Sequence, residues 1–460
     1  MSAKHYSDFE ERLSYNGHAA PHFPGIFPPC MYINDLETAF QAHRDIRNYR
    51  LNLGERRGIG LGVRDNEVGG VYSPFSASET VGGGFLVEWQ DGLVSRGRLD
   101  GNSGDDLAHI FAQARAAAYR DAAAAQFLGP QHPHDVPRWS DDVPPLFAER
   151  SGYGFEVIAQ VQALAAELGV KNLHAGAGAS LGESWLRTSQ GLQLHDRTTA
   201  CAFSASFDGI LGDGDTWRTV ISPAHVAAVI ARLGQRVAQL RTDVAPASGD
   251  RTTVVLHPDV AASMLGYFVW GNLGGSSVFH GQSPFSRQDF AEQRQVFRPD
   301  MQLRVEPWLP LHPDGFAWTG EGVPAVPTEY IRDGCLVQPL LDLKYARRLG
   351  LSPNTPPGGA RSVVLELGDR TTESALIPTL KDGLLVLRIL GLHTQDRTSG
   401  NYALATSQAL LIRDGRIAGR VRATFRGNFI AHLRDVGLQL VDFEGVYTPG
   451  LAFEGDVAWG

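Results

Sequence analysis

Residues 409–421 read ALLIRDGRIAGRV and residues 329–341 read EYIRDGCLVQPLL. In each, two short apolar runs flank an Asp-Gly pair, which readily takes the positive φ angles a two-residue hairpin turn requires. Both stretches are predicted as antiparallel hairpins. Asp91-Gly92 and Asp382-Gly383 give the same signal, so strands are expected to dominate the C-terminal half.

Before residue 275 the pattern is helical. Residues 105 to 127 open with Asp105 and Asp106 and continue as an Ala-rich run; residues 155 to 168 end at Gly169. Residues 223 to 242 follow Ser222 as a cap and Pro223 at the first helical position, with Val226, Val229, Ile230, Leu233, Val237 and Leu240 on one face. No strand–helix alternation long enough for a doubly wound parallel sheet is visible. The fold expected is α+β in two domains. Residues 1–245 form an N-terminal domain of helices with an antiparallel sheet, and residues 250–460 a strand-rich, barrel-like antiparallel domain. The polar stretch TDVAPASGD (242–250) marks the boundary, and the Pro-rich stretch from Gly129 reads as an extended connector inside the first domain.

Length and composition agree with this. A chain of 460 residues exceeds one ordinary core, and 43% hydrophobic with 20% charged residues is ordinary for a globular protein. The net charge of -9, with no basic block, argues against direct nucleic-acid binding. Neither a signal-peptide core nor a membrane-length apolar run of about 18 residues is present, so a cytoplasmic location is expected. Cys30, Cys201 and Cys335 are too few and scattered for a disulfide framework or a structural zinc site, and are read as reduced, buried thiols.

Three constellations invite a catalytic reading. Gly178-Ala-Ser180-Leu-Gly182 has the G-x-S-x-G spacing of a nucleophile elbow, but ESWLRTSQGLQLHDRTTACAFSASF follows it with strand-like alternation where a helix is needed. Ser180 is therefore read as part of a Gly-rich strand or turn. His132 and His134 share a face only in an extended segment, lack companion ligands, and are read as exposed. Glu321, Glu329, Asp333 and Asp342 are read as a solvated acidic face.

An ordered set of segments resembles the TldD/PmbA family, also called modulators of DNA gyrase. It comprises TVVLHPDVAA (253–262) with SVFHGQS (277–283), and GEGVP (320–324) with the hairpin IRDGCLVQPLLD and KYARRLG (344–350). Then come GLHT (391–394), TSGNY (398–402), LLIRDGRIAGRV and RGNF (426–429). LRTSQG (186–191) is similar to the family's Asn-Ser-Glu-Gly turn, so the likeness spans most of residues 150 to 435. The N-terminal ~45 residues match nothing in the pattern, and Trp308, His312 and Trp318 crowd a region that is usually more acidic.

The resemblance implies a specific loss. The active TldD-type subunit carries H-E-x-x-x-H, two zinc-binding histidines and a glutamate base, on the helix after the first of these strands. In this chain Gly266 and Gly271 stand at the histidine positions and Tyr267 at the glutamate. The family's third ligand is a cysteine where this chain has Gly-Leu-His-Thr, leaving His393 as the one possible donor there.

What is implied is a TldE/PmbA-type subunit without its own metal or catalytic residues, paired with a zinc-bearing TldD-type subunit that cleaves short or unfolded peptides or matures a peptide product. Tyr267, Trp270 and His393 are the substrate-cavity candidates, against the plainer reading that the aromatics fill space left by the lost site. Two alternatives remain open: a homodimer that captures peptides by strand addition without cleaving them, and an enzyme acting through Ser180 or a metal on His393.

Overall fold

The computed structural model describes residues 30–70, 75–101, 106–148 and 153–460. Most of the unmatched N-terminal segment, Asp105 and the Cys30 side chain lie outside the described residues.

Seven strands form the first sheet: β1 (Ile46–Arg64), β2 (Glu67–Val68), β3 (Ser76–Trp89), β4 (Val94–Asp100), β5 (Leu173–Thr188), β6 (Gln193–Phe207) and β7 (Leu211–Trp217). The order is β4-β3-β1-β5-β6-β7, antiparallel throughout, with β2 turned back on β1. Two helices, α1 (Cys30–Ala42) and α2 (Leu107–Ala116), cover one end, where Phe40 meets Phe85 and Phe111 edge-on. The other end lies under α3 (Tyr153–Glu167) and α4 (Pro223–Leu240), whose predicted stripe is buried, Val226 to Val237 in one core with Phe203 and Ala177 and Leu240 in another with Val255 and Leu385. Ser222 caps α4 by accepting from the His225 N–H, with Pro223 at the first turn, as its sequence predicts.

The helix expected over 105–127 stops at Ala116. High helix propensity loses here to tertiary contacts. Tyr119 exchanges both backbone hydrogen bonds with Val94, extending the β4 edge. Asp121 turns toward α7 (Leu343–Leu349), where it binds Lys344 at 2.8 Å and Arg348 at 3.1 Å. Continuing the helix would break both.

The second sheet contains β9 (Gln302–Val305), β10 (Thr328–Arg332), β11 (Cys335–Leu336) and β12 (Val363–Glu366), ordered β11-β10-β9-β12. The third holds β8 (Arg251–Leu256), β13 (Arg370–Thr372), β14 (Asp382–Leu390), β15 (Asn401–Arg413), β16 (Arg416–Arg420), β17 (Ala423–Asn428), β18 (Gln439–Asp442) and β19 (Gly450–Trp459). Pairing of β19 with β8 closes β8, β14, β15, β17 and β19 into a five-stranded barrel. The fold is α+β, as expected, but not wholly antiparallel: β14 runs parallel to β8, and β13 to β18.

The hairpin signals are uneven. Asp333-Gly334 and Asp414-Gly415 turn with φ of 51° and 71°, and 49° and 75°, both residues left-handed. Asp91-Gly92 turns β3 into β4 with only Gly92 left-handed. Asp382-Gly383 is no turn, because Gly383 lies inside β14, paired with Ile412 and Thr253. A Cβ there would stand 3.2 Å from Leu380 and 3.3 Å from Ile412, so its small size serves packing between strands.

The halves meet along a polar seam. Glu321, expected on a solvated face, accepts from Arg50 of β1 at 3.2 Å and from the Leu343 N–H at 2.7 Å; Asn52 donates to the Gly320 carbonyl beside it. Asp342 is likewise structural and caps α7 through the Tyr345 N–H. Residues 242–250 dock on the β15–β16 hairpin, Asp243 pairing with Arg420 at 2.6 Å.

Candidate functional site

The segment that aligns with the zinc helix starts as α5 (Pro258–Met264), with Pro258 at its first turn, and passes through a π-turn, Leu265–Trp270, into α6 (Gly271–Leu273). This changes which residues face one another. In an α-helix, positions five apart point about 140° away from each other. The π-turn hydrogen bond runs from the Gly271 N–H to the Gly266 carbonyl, and its wider turn draws residues 266 and 271 closer to one face than an α-helix would.

The two glycines have opposite surroundings. A Cβ on Gly266 would meet nothing within 4 Å. A Cβ on Gly271 would lie 2.6 Å from Cδ of Arg397 and 3.1 Å from its Nη1. The Arg397 side chain thus fills the space over Gly271, with Nη2 3.4 Å from Ser277 Oγ, and its carbonyl accepts from Asn272 Nδ2 at 2.8 Å. Nothing in the family pattern singled out Arg397; its signal in the sequence is only a basic residue beside the Thr-Ser-Gly-Asn-Tyr segment.

Tyr267 and His393 come together, while Trp270 goes elsewhere. The Tyr267 hydroxyl donates to the Gln395 carbonyl at 2.7 Å and lies 3.3 Å from the His393 carbonyl, tying the loop after β14 to the π-turn. Gln395 locks the loop from inside, its Nε2 donating to the Gly391 carbonyl and its Oε1 accepting from the Ala403 N–H. His393 itself is exposed on a short 3-10 turn, Leu392–Thr394. Trp270 instead sets its ring edge-on to the buried Tyr330, centroids 5.0 Å apart. Phe268, between them, is completely buried against Phe429 and Tyr402.

Zinc needs three or four convergent N, S or O donors. Two glycines, a guanidinium packed over one of them and a lone surface imidazole do not fit that ion. Among the described residues no group of three or more His, Cys, Asp or Glu side chains is arranged to hold a metal ion. Ser180 lies in the middle of β5, paired with Gly58 and Ala200, and its hydroxyl accepts from Arg56 at 3.1 Å, so the elbow spacing sits in a flat strand. His132 and His134 are exposed in the connector, where His134 lies against Trp308 with centroids 4.2 Å apart. His312 and Trp318 do not join Trp308 in one cluster. His312 sits between Arg361 and Trp217, and Trp318 packs on Leu186, Leu192 and Leu194.

Residues 249–456 match the family model described as PmbA/TldA metallopeptidase C-terminal domain. Among solved structures, TldE from Thermococcus kodakarensis superposes with a TM-score of 0.73 at 18% identity, covering 93% of this chain and 99% of that one. A protein described as a modulator of DNA gyrase from Bacteroides thetaiotaomicron gives 0.73 at 16% identity over 95% and 100%. Another from Thermotoga maritima gives 0.71 at 16% over 93% and 100%. No curated protein sequence matches the chain.

Proposed function

We propose, on the premise that residues 249–456 carry the PmbA/TldA metallopeptidase C-terminal domain and that the chain has the TldE fold, that this protein is the non-catalytic, TldE-type subunit of a peptidase complex. Its partner in this reading is a TldD-type subunit that holds the zinc, and its substrates are short or unfolded peptides or a peptide being matured. One observation carries the proposal. The π-turn draws positions 266 and 271 toward one face, as two histidines of an H-E-x-x-x-H motif would need to reach one ion, yet glycines stand at both positions and Arg397 occupies the space over the second. Tyr267 and the His393 loop would then form part of the wall around substrate held at the partner's zinc.

The test is co-expression with a TldD-type subunit bearing an intact H-E-x-x-x-H, followed by size exclusion, metal analysis and a peptidase assay. A stable complex with zinc bound by the partner, and peptide cleavage that neither chain achieves alone, is the expected result. Near-stoichiometric zinc on this chain alone, lost on His393→Ala, would overturn it.

A second reading, a peptide-capturing homodimer, has one observation in its favour. Pairing of β14 with β8 ends at Val386, so Leu387–Leu390 has no strand on that side among the described residues and ends in Leu390, 60% exposed. A homodimer in solution that binds extended peptides and ignores the TldD-type chain would favour it.

A further inference from the structure

A cleft of about 890 Å³ opens along the seam between β7 and α4 on one side and the barrel on the other; His257, Asp259 and Arg388 line it, but Tyr267 and His393 do not. Its size falls within the range of small-molecule sites. Six carboxylates and five guanidinium groups line it, and most are already committed. Arg236 binds Glu373 at 2.5 Å, Arg361 binds Asp215 at 2.9 Å, and Arg388 binds Asp259 at 2.6 Å. Asp442 is held by Arg370.

Two half-buried groups of opposite sign are left over. Among the described residues Arg232 makes no ion pair or hydrogen bond, and Asp213 has no cation within ion-pair distance, accepting only from the Gly214 N–H at 2.8 Å. Arg232 is seated rather than loose. A Cβ on Gly445 would stand 2.6 Å from its Nη1, so the guanidinium lies over the Glu444-Gly445 turn, where only glycine leaves it room. Burial pushes the Asp213 carboxyl above the usual range, which the Gly214 N–H and the field of Arg232 only partly offset. A partly desolvated carboxylate and a guanidinium without counter-ions are costly unless a ligand supplies the missing charges.

The geometry points to this cleft as a binding site for a small zwitterion, its free ammonium group paired with Asp213 and its free carboxylate with Arg232, as carried by an amino acid or a short peptide. The charge balance selects this class over a polyanion. With carboxylates outnumbering guanidinium groups, a phosphate or nucleotide would meet net repulsion, whereas a ligand of both signs completes two pairs. Phe443, Leu387 and Ile377 add apolar wall to the same cleft, against which a ligand side chain can pack. The site is built from this chain alone and stands whether or not the chain pairs with a peptidase subunit.

Isothermal titration calorimetry on the full chain at neutral pH tests this, with L-alanine, tri-alanine, N-acetyl-tri-alanine and tri-alanine amide as probes. At least one of the two free zwitterions is expected to bind, and comparing them shows whether the charges are spanned by one residue or three. Blocking either end of tri-alanine should weaken binding at least tenfold if the peptide is the ligand. If L-alanine is the ligand, its amide and N-acetyl forms take the place of the blocked peptides. Arg232→Gln should remove the penalty for amidation only, and Asp213→Asn the penalty for acetylation only. Failure of both free zwitterions to bind would overturn the proposal, and so would equal binding of free and blocked forms. Penalties unchanged in the two variants, with circular dichroism showing both folded, would overturn it as well.

Discussion

Cδ of Arg397 lies 2.6 Å from where a Cβ on Gly271 would stand, so this glycine is the seat of an arginine side chain. Gly271→His should cost about 1 to 3 kcal/mol by overpacking, read by urea denaturation. Gly266→His enters open space and should be neutral or stabilising by about 0.5 kcal/mol, since glycine is a poor helix former. Adding Arg397→Ala to Gly271→His should recover most of the loss. Equal effects at the two glycines would show that Arg397 does not hold this position.

Tyr267 and Trp270 should respond differently. Tyr267→Phe removes the hydrogen bond to the Gln395 carbonyl, with an expected loss of about 0.5 to 1.5 kcal/mol and faster amide exchange confined to residues 391–396. Trp270→Ala removes a half-buried ring from Tyr330 and should cost about 2 to 4 kcal/mol without loosening that loop. Exchange mass spectrometry on both variants checks the distinction.

Asp121 ties the first sheet's edge to α7. Burial opposes its charge, but Lys344 and Arg348 outweigh burial and hold its carboxyl below the usual range. Asp121→Asn should cost about 3 kcal/mol by leaving two cations without their partner. Because the folded value is the lower one, this contribution is complete above the unfolded carboxylate value near 4 and is lost as pH falls below it. Acid unfolding of Asp121→Asn should therefore show a smaller loss of stability below pH 4 than the parent chain.

His432 is packed on Phe453, centroids 4.1 Å apart, with Nε2 2.9 Å from the Tyr402 hydroxyl. Burial, with the charge of Arg251 adding to it, lowers its pKa to about 4 despite Asp435 and Asp456. Between pH 6.5 and 4 the unfolded chain takes up a proton here that the folded chain refuses, so stability falls as pH drops through that window. After partial screening the effect is about 2 kcal/mol. His432→Gln should flatten the stability profile between pH 6.5 and 4, measured by denaturation at stepped pH.

What the sequence makes legible is what local chemistry decides. Ser222 and Pro223 start α4 where the cap rule puts them, and Asp414-Gly415 turns because both residues tolerate positive φ. What stays hidden depends on residues far apart. The Ala-rich run past Ala116 leaves the helix because Asp121 answers to Lys344 and Arg348, more than 200 positions away. Asp382-Gly383 looks like a turn until β8 arrives beside it. The family alignment names Tyr267 and His393 as candidates, and the structure sets the Tyr267 hydroxyl 3.3 Å from the His393 carbonyl. Arg397 over Gly271 was not legible, because a π-turn and a long side chain have no periodic signature.

Closure of the barrel by β8 and β19 also sets a timetable for the ribosome. Thr253 must wait for Glu454, its register partner, to be made about 200 residues later. At roughly 5 to 20 residues per second, that is about 10 to 40 s during which the apolar run Val254–Leu256 has no closing strand. The first sheet is synthesised entirely before this interval begins, and its pairings need nothing from the barrel. Chaperone demand during biosynthesis should therefore fall on the second half of the chain, and a stalled or truncated product should expose β8 rather than the N-terminal sheet.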